Sequence, residues 1–587
     1  MIETIAVKNK KIRTFGWVQD GTNLRSLCDV VGIFYVNSNV YNDLINIKIP
    51  NLVSKQDGKE ELLKELSKRP LKITYSKLVG NSKKTCNSII QATIKGQKRE
   101  YLRSWPADNY LRWAHALGFI KYDYMTDSFE ITASGVELVN SKNGHDINEK
   151  EKQCIINALM SYPPAVRVLN LLFEDSEKHL TKFEIGKNLG FVGEDGFTNI
   201  PQNVLVKALK NTTNKKDRNK IKTDSEGSCD KYARVIARWL EQVGLVEQKA
   251  KTVAIINDSE DYSEEIGQSY ILTLEGVRVL NKAKGKSKHK RVVKNVFYEM
   301  LATKSPDKEY LRLRRSYILK YISKNKEIST YKEICEFLKT KNIFENVSVV
   351  KDDIQGLVNI GLNIILKENG CIWKDLINDF VVPTVNVSAP TSNLKIKKEM
   401  QEQILLVPHE YFVLLDLAFN SKESTLFEMK VMELLTEECS FGGLHLGGSR
   451  KPDGIAYTKD LSTNYGIIID TKAYSKGYNL PIGQADEMTR YIRENKARDK
   501  AINPNEWWGN FPASVKDFVF MFISGEFIGK FNEQIKRIEM VTNTKGCALN
   551  VVNLLFLADA IKSGKITHMQ IKKEIEDNFE LNFKGAY

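Results

Sequence analysis

Paired cysteines and long apolar runs are both missing from this sequence of 587 residues. Its 8 cysteines stand singly and form no Cys-x-x-Cys pair, which excludes zinc ribbons and redox pairs and favours a reducing compartment. No apolar run approaches the roughly 20 residues of a membrane-spanning helix, and the first residues contain no signal-peptide core. We therefore expect a soluble, cytoplasmic protein with no membrane partner.

Positive charge is in excess. The sequence holds 87 Lys+Arg against 73 Asp+Glu, which gives a formal net charge of +14 and a pI near 9.0. Such a chain favours a polyanionic partner, although a lysine-rich genome would leave the same excess. A hydrophobic content of 42% supports real cores, and the length predicts about three to five domains.

The pattern that carries the most chemistry lies near the C-terminus, where Pro452-Asp453 is followed by an apolar run and then Asp470-Thr471-Lys472. On a β-strand, Asp470 and Lys472 point to the same face because they are two residues apart. Asp453 precedes a short predicted strand, residues 455–457, that can turn back beside them. Two carboxylates suit Mg²⁺, and the lysine can orient or deprotonate a water. The pattern favours a phosphodiester-hydrolysing site over a solvated strand end.

An internal repeat organises the rest of the chain. Residues 113–138 and 238–280 both predict a helix with a Gly stop, two strands and a Thr-x-x-Gly that begins another helix; residues 353–373 carry a weaker copy. A helix followed by a two-stranded ribbon is the winged form of the helix-turn-helix. We therefore predict a multidomain α+β chain with three tandem winged-helix modules and an α/β nuclease domain. The predicted bounds are residues 1–150, 151–296 and 297–383 for modules one to three, 384–400 for a linker and 401–587 for the cleavage domain.

The predicted recognition helix of module two, residues 229–243, has two different faces. One is an apolar stripe at helical spacing, and the other carries Lys231, Arg234 and Arg238. Glu226 stands just before the helix. Lysine and arginine can read guanine, and glutamate can accept a hydrogen bond from cytosine. In this basic context we favour DNA recognition over a solvated charged face.

Long stretches of the chain resemble the FokI family of type IIS restriction endonucleases. They include Gly-Gly-Ser-Arg-Lys-Pro-Asp-Gly at residues 447–454, Asp-Thr-Lys-Ala-Tyr-Ser at 470–475, residues 477–488 and Asn-Pro-Asn-Glu-Trp-Trp at 503–508. Further matches lie at residues 11–19, 111–120 and 226–234, so the resemblance covers nearly the whole chain. It implies a PD-(D/E)xK cleavage domain, a Mg²⁺ cofactor, a double-stranded DNA partner and a bacterial cytoplasmic location.

The resemblance also implies roles for residues of the cleavage domain. Asp453 and Asp470 would hold Mg²⁺ together with the backbone carbonyl of Thr471, while Lys472 positions the attacking water. On a predicted helix at residues 483–495, the residues alone favour an intrahelical pair. The family instead pairs the matching residues, here Asp486 and Arg490, reciprocally across a two-fold dimer with a second copy of the chain.

Base-reading residues are implied in modules one and two. In module two they are Glu226, Lys231 and Arg234, while Thr223 stands where the family has Asn. In module one they include Gln19 and Trp105, which precedes a predicted helix, residues 108–117, that carries Arg112 on its polar face. The surroundings of the module-one residues depart from the family in three ways. Asp20 replaces an Asn, and the loop at residues 81–86 is shorter and lacks an Arg. The half-site that module one reads could therefore differ.

Module three is expected to play a different part. Asp352 and Asp353 are predicted to open its third helix, and few basic residues follow them. Acidic residues there would repel phosphate. The module is therefore assigned to protein contacts, which agrees with the family picture.

The predicted function is a type IIS restriction endonuclease. It would read GGATG or a closely related site through modules one and two and cut both strands at a fixed distance. The family also implies a companion adenine methyltransferase. Two rivals stay open. One is a non-catalytic winged-helix regulator, against which the intact Asp453, Asp470 and Lys472 argue; the other is a structure-specific or transposon-linked nuclease of the same fold, against which Lys231 and Arg234 argue.

Overall fold

The chain folds into two compact units, and separate segments of its middle part belong to each of them. The structure, a computed structural model, describes residues 4–8, 13–144, 146–210, 212, 214–255, 262–286, 289–385 and 387–585, with all their side chains except those of residues 217, 223, 224 and 461. The first unit comprises Met1–Phe191, Ser228–Lys251 and Gly267–Pro390. The second comprises Val192–Gly227, Thr252–Ile266 and Thr391–Tyr587.

Helices dominate the first part of the chain. The elements are β1 Thr4–Ile5, α1 Leu24–Gly32, α2 Asn39–Asp43, α3 Ile49–Leu52, α4 Gln56–Ser67, β2 Ile73–Thr74, α5 Tyr75–Val79, α6 Ile89–Thr93, α7 Ser104–Ala116, β3 Ile120–Asp123, β4 Ser128–Ile131 and α8 Ala133–Ser141. Strands β2, β4 and β3 form an antiparallel sheet in that order. Gly118 takes a positive φ of 75° just after α7, and Thr132 caps α8, as the repeat predicts.

The next part repeats this plan and adds two insertions. Its elements are α9 Glu149–Ser161, α10 Pro163–Glu174, β5 His179–Thr181, α11 Lys182–Gly186, α12 Gln202–Lys210, α13 Lys215–Asp224, α14 Ser228–Gln242, β6 Val246–Gln248, β7 Lys251–Ile255, β8 Tyr262–Ile266, β9 Ser269–Leu272 and α15 Leu274–Ala283. Strands β5, β9 and β6 form the winged sheet. The insertions, which carry α12, α13 and β8, belong to the second unit.

A third copy of the plan completes the first unit. Its elements are α16 Lys308–Lys324, β10 Ile328–Thr330, α17 Tyr331–Lys339, α18 Val347–Asn359, β11 Ile364–Lys367, β12 Gly370–Trp373 and β13 Val382–Pro383. Strands β10, β12 and β11 again form an antiparallel sheet in which the outer first strand pairs with the last. The predicted fold class, tandem winged helices followed by a nuclease domain, is therefore confirmed.

Two predicted helix starts are wrong. Helix α18 begins at Val347 behind the cap Asn346, so Asp352 and Asp353 lie in its middle and do not open it. Asp353 is buried, and its carboxylate accepts bonds of 2.6 Å from Nε of Arg314 and from Nε of Arg315. Its charge therefore neutralises buried arginines inside the module and is not directed at phosphate.

Helix α7 likewise begins at Ser104 and not at residue 108. Proline is tolerated in the first turn of a helix, where its missing N–H has no intrahelical acceptor, so Pro106 does not delay the start. The predicted linker also contains structure, because α19, Ser392–Gln403, begins behind the cap Thr391.

The remaining elements surround a mixed sheet. They are α20 Leu414–Leu417, α21 Ser424–Glu433, β14 Gly442–His445, β15 Gly454–Tyr457, β16 Tyr465–Lys472, α22 Ile482–Ala497, β17 Asp517–Ser524, α23 Phe531–Thr542, β18 Gly546–Asn550, α24 Val551–Lys562 and α25 His568–Asp577. The strand order is β14-β15-β16-β17-β18; the first three strands are antiparallel and the last three parallel. In the described part of the chain, no helix is both long and apolar enough to cross a membrane.

Helix α12 joins this sheet from the middle of the sequence. It packs against β8, β14 and α21, and its buried side chains are Val204, Leu205, Val206, Ala208 and Leu209. On β8, the carboxylate of Glu264 accepts bonds from Arg218 and Lys222 of α13. The second unit is thus built from the C-terminal part of the chain and the two insertions.

Candidate active site

The centre of the nuclease sheet brings Asp470 and Lys472 together. Strand β16 is apolar and buried along its length, and it lies between β15 and β17. Because side chains alternate along a strand, Asp470 and Lys472 share one face. Nζ of Lys472 lies 2.9 Å from Oδ2 of Asp470, and Asp470 is only 4% exposed.

Asp453 reaches the same point from the neighbouring strand. It immediately precedes β15, whose Gly454 is paired antiparallel with Ile469 of β16. One oxygen of Asp453, Oδ2, accepts bonds from the backbone N–H of Thr471 at 2.7 Å and from its hydroxyl at 3.1 Å. The same oxygen is 3.8 Å from Nζ of Lys472. The structure therefore places all four predicted site residues around one strand end.

The electrostatics of this cluster are unbalanced. Burial and the neighbouring charge of Asp453 raise the pKa of Asp470 to about 8, although Lys472 opposes the rise. Burial alone would lower the pKa of Lys472, but Asp470 and Asp453 together raise it well above its usual range. One ammonium, that of Lys472, therefore faces two acids whose mutual repulsion makes Asp470 hard to ionise without a further positive charge.

A second acid and a histidine lie beside the cluster and were missed in the sequence. Glu428 of α21 and His445 of β14 are joined by a bond of 2.9 Å between Oε2 and Nε2. Burial raises the pKa of Glu428, the bond from His445 opposes the rise, and the charge of Asp453 adds to it. The two residues are 17 positions apart on different elements, so no strand or helix periodicity could have linked them.

The donor set suits a cation that needs few protein ligands. Among the residues that the structure describes, no three His, Cys, Asp or Glu side chains form a ready-made metal cage. Mg²⁺ is commonly held by one or two carboxylates and keeps waters for the substrate phosphate. Asp453 and Asp470 fit that pattern, and a divalent cation would offset the excess negative charge that raises the pKa of Asp470.

The residues predicted to pair between two copies do not pair with each other. On α22, Oδ1 of Asp486 accepts a 3.1 Å bond from Arg537 of α23. Nε of Arg490 lies 3.6 Å from Oε1 of the buried Glu494. Neither of those two atoms has a hydrogen-bond partner. The intrahelical pair between Asp486 and Arg490 that the spacing allows is therefore not formed.

The predicted base readers of module two lie in both units. Lys231 and Arg234 are half-buried on α14, while Arg238 is exposed and bonded to Glu241 one turn further on. Glu226 is half-buried and belongs to the second unit. The side chain of Thr223 lies outside those that the structure describes.

The predicted readers of module one surround the start of α7. Trp105 is 53% exposed in the first turn, with the Arg112 guanidinium 5.9 Å from its ring centre. Arg112 also bonds to Asp108, at 2.6 Å. The side-chain amide of Gln19 lies 3.5 Å from the hydroxyl of Tyr232. A Trp that faces solvent here, and not the core, is compatible with a ligand-contacting role.

Family models match four consecutive parts of the chain. The FokI cleavage domain matches residues 390–582, and subdomains 1 and 2 of the FokI recognition domain match residues 13–141 and 151–288. The FokI D3 domain matches residues 301–369. Together these matches extend over most of the sequence.

Two curated relatives and two solved structures are similar over almost their full lengths. The type II restriction enzyme FokI of Planomicrobium okeanokoites is 45% identical over 584 residues, 98% of this chain and 100% of the relative. The type II restriction enzyme StsI of Streptococcus sanguinis is 31% identical over 577 residues, 96% of this chain and 95% of the relative. The structure of restriction endonuclease FokI superimposes with a TM-score of 0.91 at 44% identity, over 97% of this chain and 100% of that one. FokI bound to DNA gives 0.92 at 44% identity, over 98% and 100%. By its sequence, its two recognition subdomains, its D3 domain and its cleavage domain, this chain belongs to the FokI family of type II restriction enzymes.

Proposed function

We propose that this chain is a Mg²⁺-dependent type IIS restriction endonuclease that binds double-stranded DNA and cuts both strands at a fixed distance from a short asymmetric site. The observation that carries the proposal is the convergence of Asp453, Asp470 and Lys472 at the end of β16. The chain also matches both recognition subdomains and the D3 domain of the family. A nuclease tethered to modules that read DNA cuts at a displacement set by the protein.

The roles of the active-site residues follow from their charges. Asp453, Asp470 and the backbone carbonyl of Thr471 would hold Mg²⁺, which supplies positive charge to the attacked phosphate and the leaving 3′ oxygen. Lys472 donates hydrogen bonds to the attacking water and orients it. Thr471 fixes Asp453 through its N–H and hydroxyl.

Recognition would use two modules. On module two, Lys231, Arg234 and Arg238 can donate to guanine, and Glu226 can accept from cytosine. On module one, Gln19, Trp105 and Arg112 would contact the other part of the site. The similarity to a solved FokI–DNA complex supports a duplex partner. The site proposed is GGATG or a close relative, because Glu226, Lys231 and Arg234 stand at the family's reading positions.

Cutting both strands would need a second copy of the chain. One phosphodiester site cuts one strand, and Asp486 and Arg490 could exchange ion pairs across a two-fold axis. Both side chains lie on the outer part of α22, where Asp486 is exposed and Arg490 is incompletely hydrogen-bonded. We place the protein in the bacterial cytoplasm, in keeping with its singly spaced cysteines, beside an adenine methyltransferase that protects the host site.

The decisive experiment is to incubate the purified protein with Mg²⁺ and a random-sequence DNA library and to sequence the ends. Cuts at a constant distance from one asymmetric motif would support the proposal and give the site and offset together. Scattered cuts would support the rival nuclease that lacks sequence readout. Binding without cuts, even at high protein concentration, would support the non-catalytic regulator.

A further inference from the structure

A cationic cavity of about 390 Å³ lies within the first unit. It is bordered by α10, by the segment that follows α15 and by the end of α18. The basic side chains that line it are Arg167, Lys284, Lys286, Arg291 and Lys294. Glu174 is the one carboxylate of the lining, and it is exposed. Five cations around one small space repel one another, and counter-charges from the protein or a bound anion would offset that repulsion.

Two of the five cations share a single buried carboxylate. Nζ of Lys294 is 2.7 Å from Oδ2 of Asp375 and donates to the carbonyl of Gly361 at 2.6 Å. Nη1 of Arg291 is 3.9 Å from the other oxygen of Asp375, whose side chain is fully buried. Asp375 also accepts from the backbone N–H of Asn363 at 2.7 Å. Lys294 and Asp375 are therefore a closed pair, and Arg291 is held at the edge of it.

The other three cations have only neutral hydrogen-bond and ring partners, although the charge of Glu174 acts on Arg167 and Lys284. Nε of Arg167 donates to the Asn188 carbonyl at 3.2 Å, and its Nη2 donates to the Asn359 side chain at 3.1 Å. Nζ of Lys284 and Nζ of Lys286 lie 5.4 Å and 5.6 Å from the ring centre of Phe173. Within the described part of the chain, none of the three forms an ion pair. The aromatic ring positions the ammonium groups but supplies no negative charge.

The pKa shifts of the lining residues agree with this shortage of negative charge. Burial lowers the pKa of Arg167, although the charge of Glu174 opposes it. Burial, and then the charge of Lys286, lower the pKa of Lys284. Burial also lowers the pKa of Lys294 in spite of Asp375. A bound anion would oppose each of these effects by adding negative charge beside the cations.

We propose that this cavity is a binding site for a small phosphate-bearing anion. A guanidinium and two ammonium groups around a space of this size match a phosphate or pyrophosphate, since arginine binds phosphate oxygens through two parallel N–H groups and lysine acts as a point charge. The anion would join α10 and the segment after α15 to the end of α18. The phosphate group could come from a free phosphate compound or from a nucleic-acid strand.

The proposal is tested by titrating the full-length protein with pyrophosphate in a calorimeter. The titration is run without Mg²⁺ and at constant ionic strength. We expect one site per chain, with affinity reduced at least about tenfold in Lys284→Gln/Lys286→Gln, because two charge-assisted contacts are lost. Lys324→Gln/Lys326→Gln, which removes the same charge from exposed positions on and just after α16, should bind as the unmodified protein does. Absence of binding, or equal binding in both double variants, would overturn the proposal.

The same variants separate the two sources of phosphate. A short fluorescent duplex is titrated into each protein, with and without pyrophosphate. If the duplex competes with pyrophosphate and binds more weakly to Lys284→Gln/Lys286→Gln, the cavity holds a nucleic-acid phosphate. If pyrophosphate binds while duplex affinity is the same in both double variants, the site serves a free phosphate compound.

Discussion

In the proposed mechanism, the ammonium of Lys472 orients the attacking water. This ammonium lies 2.9 Å from Asp470 and 3.8 Å from Asp453, and these two carboxylates raise its pKa. An ammonium that keeps its proton can donate hydrogen bonds but cannot act as a base. We expect Lys472 to act by donating hydrogen bonds that orient the attacking water.

Replacing Lys472 or Asp470 by Ala should slow DNA cleavage by about 10²–10⁴-fold, because water orientation or the metal ligand is lost. DNA binding should be unchanged, since neither residue belongs to a recognition module. Single-turnover cleavage and fluorescence anisotropy on one duplex measure both quantities. Lys476→Ala, an exposed lysine four residues further on, is the matched control. A variant that lost binding together with cleavage would contradict the assigned roles.

Glu428 is expected to act by positioning His445 and by adding negative charge beside Asp453. Glu428→Gln keeps the shape but removes the charge, and it should lower the cleavage rate by about 10 to 100-fold, as is typical of groups that orient a metal site. The Mg²⁺ concentration for half-maximal rate should rise as well, a change that a purely structural role would not produce. Glu437→Gln, at an exposed position near the end of the same helical stretch, is the control. Unchanged rate and Mg²⁺ dependence would remove Glu428 from the site.

Contacts between neighbours along the chain were predictable, and contacts between distant residues were not. Asp470 and Lys472 could be placed on one face because strand alternation is a local rule. The bond from Arg537 to Asp486 joins residues 51 positions apart, and the bond from His445 to Glu428 joins residues 17 apart. Nothing in the spacing of either pair distinguishes it from many other acid–base pairs in a chain of 27% charged residues.

Helix α22 presents a polar outer face that is only partly satisfied within its own chain. Asp486 has one bond, from Arg537, and both of these side chains are about half exposed. Arg490 lies over the ring of Tyr491, and its Nε has no hydrogen-bond partner. The pair between Asp486 and Arg537 can be exchanged for contacts with a second copy at little cost, because exposed ion pairs contribute about 0–1 kcal/mol.

Charge reversal on α22 tests the proposed dimer. Asp486→Arg alone should abolish double-strand cleavage, because an arginine would then face Arg490 at each of the two equivalent contacts across the axis. A mixture of Asp486→Arg and Arg490→Asp proteins should recover it, since opposite charges meet again in the mixed dimer. Asp577→Arg, an exposed reversal on α25, is the control. Full activity of Asp486→Arg, measured on a plasmid with one site, would contradict reciprocal pairing.

The repeating modules were predictable because their boundaries carry local signals. Glycines after the third helix and threonine caps before the next one occur as expected. The start of α18 was missed because its first turn is a run of valines, which favours strands in isolation. The cap Asn346 and the packing of Val349 and Val350 override that preference.

The division of the chain between its two units was not predicted at all. Two insertions of the second winged module, Val192–Gly227 and Thr252–Ile266, belong with the C-terminal part. Their sequences carry no signal for this, because packing partners more than 200 residues away leave no periodic trace. The matched family domains are therefore contiguous in sequence, while the compact units are not.

The packing of α12 predicts a long-range effect of a mutation in the middle of the chain. Leu209→Ala should cost about 2–5 kcal/mol, because Leu209 is fully buried. Hydrogen exchange should then rise in β14 and α21, which α12 contacts. Leu78→Ala, at an equally buried position of α5, should leave β14 and α21 unaffected. Faster exchange confined to α12 itself would contradict this coupling.

The packing of α12 also has a consequence for protein synthesis. Helix α12 leaves the ribosome more than 200 residues before β14 and α21 do, which at 5–20 residues per second is a delay of about 10 to 50 s. During that time its apolar side lacks its final partners, and we expect chaperones to bind the nascent chain there. The strands that carry the nuclease residues are synthesised afterwards, and β14 of their sheet can then pack on the apolar side of α12.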